Sequence, residues 1–342
     1  MCDIILNQSC HFNEIGLLPA PVSTVKSRKD VNPFYGNGKL PVFVAPMTCL
    51  FKHKAIYQKY SEVGFIPVFP VVSENYFCPV VEYRDEWIAL TLAQFKAMFV
   101  EKQAEDKPYK VLIDCANGHM KDIFESVSKA KKNYPGITVM AGNIANPETY
   151  LEYCKAKIDF VRVGIGGGFG CTTSVKTGFH ASLPYLLNRI NILKERAKNE
   201  KGYDGFVTKV IADGGINDTS MINKALAMGA DYVMIGSMIS NCYGVNPANA
   251  EINNETPNLY YGQSSESGQV DRFGFLKSVP EGIERYIMPT MTIDELADEI
   301  EAALRCGMSY ANALTLDDFV GKVDYVTQTC EEFYRYEKGK NG

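Results

Sequence analysis

Short apolar stretches alternate with helix-like stretches along this chain, and that alternation restricts its fold more than any other feature. The apolar stretches occupy residues 40–46, 65–70, 87–92, 109–118, 137–143, 159–166, 208–215 and 231–237. Most precede a segment of helical character, as is typical of parallel βαβ units with right-handed crossovers. Eight strands predict a (β/α)8 TIM barrel, with residues 1–342 forming one domain. An open Rossmann-type sheet is the alternative, although no early Gly-x-Gly-x-x-Gly follows the first strand.

The last third of the chain departs from this alternation. Residues from about 240 to 290 are rich in Asn, Gly, Ser and Pro, which predicts a loop or a mobile flap. Residues 182–199 predict a helix after the sixth strand. Two further helices should finish the chain, the first starting near 293–307.

Composition excludes several classes of protein. With 342 residues, of which 46% are hydrophobic, the chain can bury a sizeable core. A formal net charge of −5 gives no reason to expect a nucleic acid or a membrane as partner. The sequence has no apolar run of 18 residues and no signal-peptide layout, so we expect a cytoplasmic protein. Its ten cysteines form no Cys-x-x-Cys pair, which argues against a zinc site or a disulfide scaffold.

Glycine-rich motifs follow the seventh and eighth predicted strands, at the end where a barrel carries its functional groups. They are Asp-Gly-Gly at 213–215 and Ile-Gly-Ser at 235–237. Glycine there lets backbone N–H groups approach an anion closely, which predicts a phosphate site. That site would comprise Gly214, Gly215, Gly236 and Ser237, with Asp213 accepting hydrogen bonds from ribose hydroxyls. Tight turns between strand and helix are the alternative explanation of either motif alone.

Cys171 follows Gly-Ile-Gly-Gly-Gly at the end of the sixth predicted strand. A thiol becomes a nucleophile when its thiolate is stabilised and a substrate can reach it. A glycine-rich loop supplies both access and backbone donors, and Thr173 is near enough to take part in proton transfer. A buried structural thiol would explain a cysteine chosen at random from the ten, but this position favours a nucleophile.

Two carboxylates complete the candidate groups. Asp114, in Asp-Cys-Ala-Asn-Gly at 114–118, ends the fourth predicted strand and could contact a cofactor or a substrate amide. An Asx turn or a helix cap is the alternative for this residue. Glu281 lies in Val-Pro-Glu-Gly at 279–282, where an isolated loop glutamate is more often solvated surface.

These residues together resemble the IMP dehydrogenase and GMP reductase family. The segment VRVGIGGGFGCTT at 161–173 is similar to the family's cysteine-loop signature. The motifs MAGN, IADGGI, KALAMGADYVMIGS and YYGQSSES follow the family's order and approximate spacing, and FNEIGLLPAPVSTVKSRKDV resembles its N-terminal segment. The resemblance covers nearly the whole chain. It implies a TIM barrel, commonly tetrameric, that acts at carbon 2 of a purine nucleotide.

Within that family, the chain resembles GMP reductase most closely. Dehydrogenases usually carry a pair of CBS domains after the second strand, and residues 71–108 leave no room for such a pair. DCANG and YYGQSSES are also similar to reductase motifs. In contrast, DRFGFLKSVPEGIE at 271–284 resembles the dehydrogenase flap, with Arg272 and Phe273 in place of its Arg-Tyr pair. An IMP dehydrogenase-like enzyme that oxidises IMP to XMP with NAD, and a non-catalytic purine nucleotide-binding barrel, stay open as alternatives.

The resemblance implies roles for individual residues. Cys171 would attack carbon 2 of GMP and form a covalent thioimidate, NADPH (or NADH) would reduce it to IMP, and Thr173 with Glu281 would relay the proton for departing ammonia. The implied substrate-binding residues are Asp213, Gly214, Gly215, Gly236, Ser237, Tyr260, Gly262, Gln263 and Ser264. The implied cofactor-binding residues are Asp114, Asn117 and Gly118. A potassium ion would contact the backbone carbonyls of Gly164, Gly166 and Cys171, and the active form would be a homotetramer.

Two departures from the family's pattern fall near the expected nucleotide. Phe169 stands where the family has a phosphate-contacting serine, which predicts the loss of one contact. Gln263 replaces a methionine and would offer a new hydrogen bond near the base. These substitutions leave the exact base and nucleotide open.

Overall fold

Eight parallel strands close into a barrel in the computed structural model, which describes residues 10–71, 85–101, 107, 109–249, 256–280 and 282–329. Counting from a short strand β1 (Ile15–Leu17), the barrel strands are β2 (Val42–Val44), β3 (Ile66–Phe69), β4 (Trp87–Leu90), β5 (Lys110–Asp114), β6 (Thr138–Ile144), β7 (Phe160–Val163), β8 (Lys209–Asp213) and β9 (Tyr232–Ile235). Each pairs with the next in sequence, and β9 pairs with β2 to close the ring. The predicted TIM barrel is therefore confirmed, and all eight strands fall on the predicted apolar stretches, with β6 ending one residue later, at Ile144.

Helices surround this barrel. They are α1 (Lys54–Glu62), α2 (Leu92–Phe95), α3 (Lys121–Asn133), α4 (Thr149–Lys155), α5 (Thr173–Thr177), α6 (Leu183–Asn199), α7 (Thr219–Ala227), α8 (Ser237–Ser240), α9 (Glu266–Phe273), α10 (Ile293–Tyr310) and α11 (Leu316–Phe319). A π-helical turn, Lys96–Val100, continues α2. Helix α10 begins with a capping box, because Thr292 accepts from the Glu295 N–H while the Glu295 carboxylate accepts from the Thr292 N–H. None of the described helices combines the length and apolar character that crossing a bilayer requires.

Aromatic side chains fill the amino-terminal end of the barrel. Phe43, Trp87 and Phe160 meet edge to face, with ring centroids 5.3 to 6.1 Å apart, and Tyr232 joins them. Such rings bury a large apolar area in one layer. Because this end is filled by side chains, only the carboxyl end of the barrel is left for polar groups and a ligand.

The predicted loop or flap from about 240 to 290 contains regular structure. Strands β10 (Asn258–Tyr261) and β11 (Glu284–Ile287) form an antiparallel hairpin, and α9 lies between them in sequence. The end of the chain also differs from the prediction, because β12 (Tyr325–Thr327) follows the last two helices and pairs with β1. These three strands pair antiparallel and lie outside the alternation of strand and helix from which the barrel strands were predicted, so they were missed.

The Asp114–Gly118 turn is packed too tightly for a side chain at Gly118. A Cβ there would lie 2.7 Å from the Asn143 carbonyl oxygen and 2.8 Å from the Tyr153 hydroxyl. We therefore expect Gly118→Ala to lower the free energy of unfolding by about 1–3 kcal/mol, measured by denaturant titration. Gly136→Ala is the control, because nothing lies within 4 Å of its Cβ position. Equal stability of the two variants would contradict this packing.

Candidate active site

A cavity of about 330 Å³ opens at the carboxyl end of the barrel. Loops after β2, β5, β7, β8 and β9 form its walls, together with the β10 hairpin and α9. Twelve of the residues singled out from the sequence line it: Asp114, Cys171, Thr173, Asp213, Gly214, Gly215, Gly236, Ser237, Tyr260, Gly262, Gln263 and Ser264. The fold thus brings the predicted nucleophile, phosphate loops and base-side residues into one space.

The other predicted residues lie elsewhere. Gly118 is buried, and its N–H donates to the Asn143 carbonyl at 2.8 Å, so its position serves packing. Asn117 is exposed and accepts from the His119 N–H at 3.1 Å. Gly164 and Gly166 lie beneath the cavity in the turn after β7. Glu281 falls outside the described residues.

Cys171 presents its thiol to this cavity. Among the described residues it is the one exposed cysteine, and its Sγ lies 3.3 Å from Oγ1 of Thr173, at the start of α5. The cysteines at other positions differ: burial raises the pKa of Cys49 and of Cys115 to about 11, and that of Cys242 to about 12. Cys115 also lines the cavity but is half-buried, so Cys171 is the more accessible of the two thiols there.

The segment after Glu281 pairs directly with the cysteine loop. Gly282 forms an antiparallel bridge with Cys171, and the Ile283 N–H donates to the Gly170 carbonyl at 3.3 Å. A Cβ on Gly282 would lie 2.8 Å from the backbone nitrogen of Ser265, so only glycine fits between these two loops. Gly282 therefore lies between Ser265 and the loop that carries Cys171.

Arg162 is a central residue that the sequence reasoning missed. Its side chain, from β7, is buried; Nη1 donates to Asp114 Oδ1 at 2.7 Å and Nη2 to Asp213 Oδ2 at 2.8 Å. Burial by itself would lower the pKa of Arg162, but the two carboxylates raise it above its usual value. An arginine inside the apolar run Val-Arg-Val was the available signal, because a charge in a buried strand requires partners.

The same ion pair fixes the carboxylate of Asp213. Oδ2 of Asp213 also accepts from Nδ2 of Asn143 at 2.6 Å and from Nε of Arg162 at 3.0 Å. These bonds gather on one oxygen and set the direction of the carboxylate at the cavity wall. Asp213 is thereby suited to accept hydrogen bonds from a ligand hydroxyl through Oδ1.

The glycine turns after β8 and β9 allow close approach of the backbone. Gly214 and Gly215 have φ of +91° and +84°, and a Cβ on Gly214 would lie 3.1 Å from the Gly168 nitrogen. A Cβ on Gly236 would lie 3.2 Å from the Tyr260 hydroxyl. Together these turns offer a shallow concave surface of backbone at one end of the cavity, of the kind that accepts a phosphate.

The two departures from the family pattern have defined surroundings. The ring of Phe169 lies 4.2 Å from the guanidinium carbon of Arg285, on β11, and its centroid is 6.0 Å from that of Tyr260. Gln263 donates from Nε2 to the Pro46 carbonyl at 2.5 Å. Its Oε1 is buried and has no hydrogen-bond partner among the described residues.

Arg272 also enters the cavity, from α9. Burial lowers the pKa of its guanidinium, while the charge of Asp114 opposes that shift. Nε of Arg272 is buried and has no hydrogen-bond partner among the described residues. A buried, unpaired donor of this kind is ready to bind an acceptor oxygen of a ligand.

The predicted cation site finds its carbonyls already engaged. The Gly164 carbonyl accepts from Asn143 Nδ2 at 2.8 Å, and the Gly166 carbonyl accepts from Ser174 Oγ at 3.3 Å. Nor do the described residues include a group of three or more His, Cys, Asp or Glu that could hold a metal ion. These carbonyls do not form a ready site for a cation, so potassium stays a prediction.

The fold and the cavity define a TIM barrel with an exposed thiol beside glycine turns, and sequence comparison specifies the family. The family model described as IMP dehydrogenase / GMP reductase domain matches residues 96–334, more than half of the chain. The chain therefore belongs to the IMP dehydrogenase/GMP reductase family, whose members are oxidoreductases.

Individual relatives come from both branches of this family. The chain is 29% identical to a GMP reductase of Streptococcus pyogenes over 324 residues, which cover 92% of this chain and 94% of that protein. It has the same identity and coverage with a GMP reductase of Streptococcus gordonii. It is 33% identical to an inosine-5'-monophosphate dehydrogenase of Chlorobaculum parvum over 242 residues, 64% of this chain. The aligned part spans only 45% of the length of that dehydrogenase.

The contrast among the cysteines predicts selective alkylation. Iodoacetamide near pH 8 should modify Cys171 well before Cys49, Cys115 or Cys242, because burial shields those three and keeps them protonated. Peptide mass mapping over time measures the order, and a purine nucleotide in the cavity should slow the reaction at Cys171. Labelling of Cys115 as fast as that of Cys171 would contradict the greater accessibility of Cys171. The variant Cys171→Ala identifies the peptide that carries the Cys171 label.

Proposed function

We propose that this protein is a GMP reductase-like oxidoreductase that converts GMP to IMP and ammonia with NADPH. The observation that carries the proposal is the meeting of three elements at the carboxyl end of the barrel: the exposed thiol of Cys171 and the hydroxyl of Thr173 line the cavity, and the chain at Gly282 pairs with Cys171. A nucleophile, a proton-transfer group and the segment holding a carboxylate are what a covalent deamination requires.

Cys171 acts as the nucleophile in this proposal. Its Sγ forms a bond to carbon 2 of the guanine ring, the bond from carbon 2 to the exocyclic nitrogen breaks, and ammonia leaves. The product is a purine thioimidate bound to the protein. A nicotinamide cofactor, when bound, supplies the hydride that takes the place of the sulfur at carbon 2. Splitting the reaction at a covalent intermediate lowers the barrier of each part.

Thr173 and Glu281 carry the proton. The amine is a poor leaving group unless its nitrogen is protonated, so a donor must stand beside carbon 2. The Thr173 hydroxyl is within 3.3 Å of the thiol, and Gly282, the residue that follows Glu281 in the sequence, pairs with Cys171. Glu281 would pass a proton to Thr173, which would pass one to the departing nitrogen.

The cavity walls orient the nucleotide. Asp213 would accept from the ribose hydroxyls, and the turns at Gly214, Gly215, Gly236 and Ser237 would surround the phosphate. Tyr260, Gly262, Gln263 and Ser264 would line the base side.

Of the residues predicted for the cofactor, Asp114 fits best, since it lines the cavity and Arg162 engages only its Oδ1. Gly118 fits poorly because its N–H is already bonded. We further propose a cytoplasmic homotetramer, as the family resemblance implies, and gel filtration with light scattering would test the tetramer.

Two observations favour a reductase over a dehydrogenase: the short connection between β3 and β4, and the alignment with whole GMP reductases. Only residues 70–86 join β3 to β4, which excludes an inserted domain pair at that position. The alignment also spans nearly the whole of the streptococcal reductases. One observation favours the dehydrogenase instead: Arg272 enters the cavity with a buried Nε that has no partner in the part of the chain that the structure describes, and an arginine there could activate water.

A spectrophotometric comparison separates these functions. The protein is mixed with GMP and NADPH, or with IMP and NAD, and the nicotinamide absorbance is followed. Loss of NADPH with GMP supports the reductase, and formation of NADH with IMP would overturn it in favour of the dehydrogenase. Silence in both mixtures, with tight binding of a purine nucleotide, would favour a non-catalytic barrel. Replacing NADPH by NADH tests the cofactor preference.

Removing the thiol should abolish turnover. We expect Cys171→Ala to lower kcat by more than about 10³-fold, since no other group can form the covalent intermediate. Nucleotide affinity, measured by calorimetry, should change little because the ribose and phosphate contacts persist. Cys306→Ala, a partly buried cysteine on α10, is the matched control. Appreciable residual turnover by Cys171→Ala would exclude the covalent mechanism.

The effect of removing the proton donor on the rate should depend on the leaving group. We expect Glu281→Gln to slow ammonia release by about 10²-fold or more, since an amine needs a proton to leave. With a nucleotide that carries chloride at carbon 2, the same substitution should slow the reaction much less, because chloride leaves without a proton. Glu125→Gln, an exposed glutamate on α3, is the control. Equal losses with both substrates would count against the relay.

A further inference from the structure

Helix α9 is tied to the barrel by a small polar cluster. Lys52 follows the 3-10 turn Thr48–Leu50 after β2, and its Nζ lies 2.6 Å from Asp271 Oδ2 and 2.6 Å from the Tyr261 hydroxyl. The Tyr261 hydroxyl also donates to Asp271. We call Lys52, Tyr261 and Asp271 the α9 anchor. It joins three separate parts of the chain: the loop after β2, the end of β10 and the helix itself.

Lys52 and Asp271 of the α9 anchor each stabilise the charged form of the other. Burial by itself would lower the pKa of Lys52, but its bonds to Asp271 and Tyr261 raise that pKa above its usual value. Burial would raise the pKa of Asp271, but Lys52 and Tyr261 hold it below its usual range. Both side chains are about two-thirds covered, so the pair is less screened than an exposed ion pair. The anchor is therefore a charged contact near neutral pH.

Arg272 is the residue immediately after the anchored carboxylate. Successive residues of a helix point about 100° apart, so fixing Asp271 against the barrel also fixes the direction in which Arg272 leaves α9. That direction is into the cavity, where its Nε is buried without a partner among the described residues. Among the described residues, the carboxylate whose charge acts on Arg272 is that of Asp114, which already bonds to Arg162. An acceptor oxygen from a bound ligand would complete its hydrogen bonds.

We propose that Lys52 and Asp271 are positioning residues that act on ligand binding and turnover through Arg272. The side chain of Arg272 donates to an acceptor oxygen of the ligand, and the α9 anchor holds it where that bond forms. This inference depends on the proposed function only in that the cavity binds a purine nucleotide and its cofactor.

A double-mutant cycle tests the proposal. The variants are Lys52→Met, Arg272→Ala and the two combined, and the readouts are kcat, KM and the nucleotide and cofactor Kd values from calorimetry. We expect Lys52→Met to lower kcat/KM, or to weaken one Kd, by roughly tenfold, and to have almost no further effect once Arg272 is removed. Lys52→Arg should restore much of the loss because it keeps the charge beside Asp271.

A second ion pair provides the matched control. Lys59 on α1 lies 2.6 Å from Asp294 on α10, with similar exposure of the lysine, but neither residue lines the cavity. Lys59→Met should leave both kcat/KM and the affinities unchanged. The proposal is wrong if the double variant shows the product of the two single fold-changes in kcat/KM or Kd. It is also wrong if Arg272→Ala changes no readout. Should the wild-type protein turn over neither substrate pair, the cycle is evaluated on nucleotide Kd, so failure of the proposed function is seen separately.

Discussion

The guanidinium of Arg162 lies buried between Asp114 and Asp213, which end β5 and β8, and the candidate site is organised around this contact. Because a buried charge is costly without partners, the three side chains hold one another in place. Both carboxylates line the cavity, and in the proposed function Asp213 would bind the ribose and Asp114 the cofactor. The two halves of the cavity therefore share one rigid element, in which displacement of either carboxylate would leave the arginine unpaired.

The cavity is completed by elements from outside the barrel strands. The hairpin of β10 and β11 brings Gly282 to Cys171 and Tyr260 to the turn at Gly236. Helix α9 between these strands contributes Arg272. Catalytic geometry on this fold thus depends on a late segment of the chain folding back over the barrel. In the same region, Arg285 stacks on Phe169, the residue that replaces a serine of the family pattern.

Much of this arrangement could be predicted from local patterns. Eight apolar stretches predicted the eight barrel strands, and the motifs at their carboxyl ends predicted most of the cavity lining, since parallel strands in a barrel end on one face. The prediction was weaker where the signal was short or non-local. Strands β10, β11 and β12 lie outside the strand–helix alternation that indicated the barrel, and the flap region was therefore predicted as a loop.

The sequence by itself determined the barrel, the cysteine at its rim and the family, because each depends on residues that are close together along the chain. The tertiary structure alone decided how the site is held. Arg162 bonds to Asp213, which is 51 residues away in the sequence, and Lys52 bonds to Asp271, which is 219 residues away. No local pattern specifies such partners, since they meet only when the barrel closes and the late hairpin returns to its open end. Gly118 shows the same limit, because its tight surroundings belong to β6 and α4 rather than to its own turn.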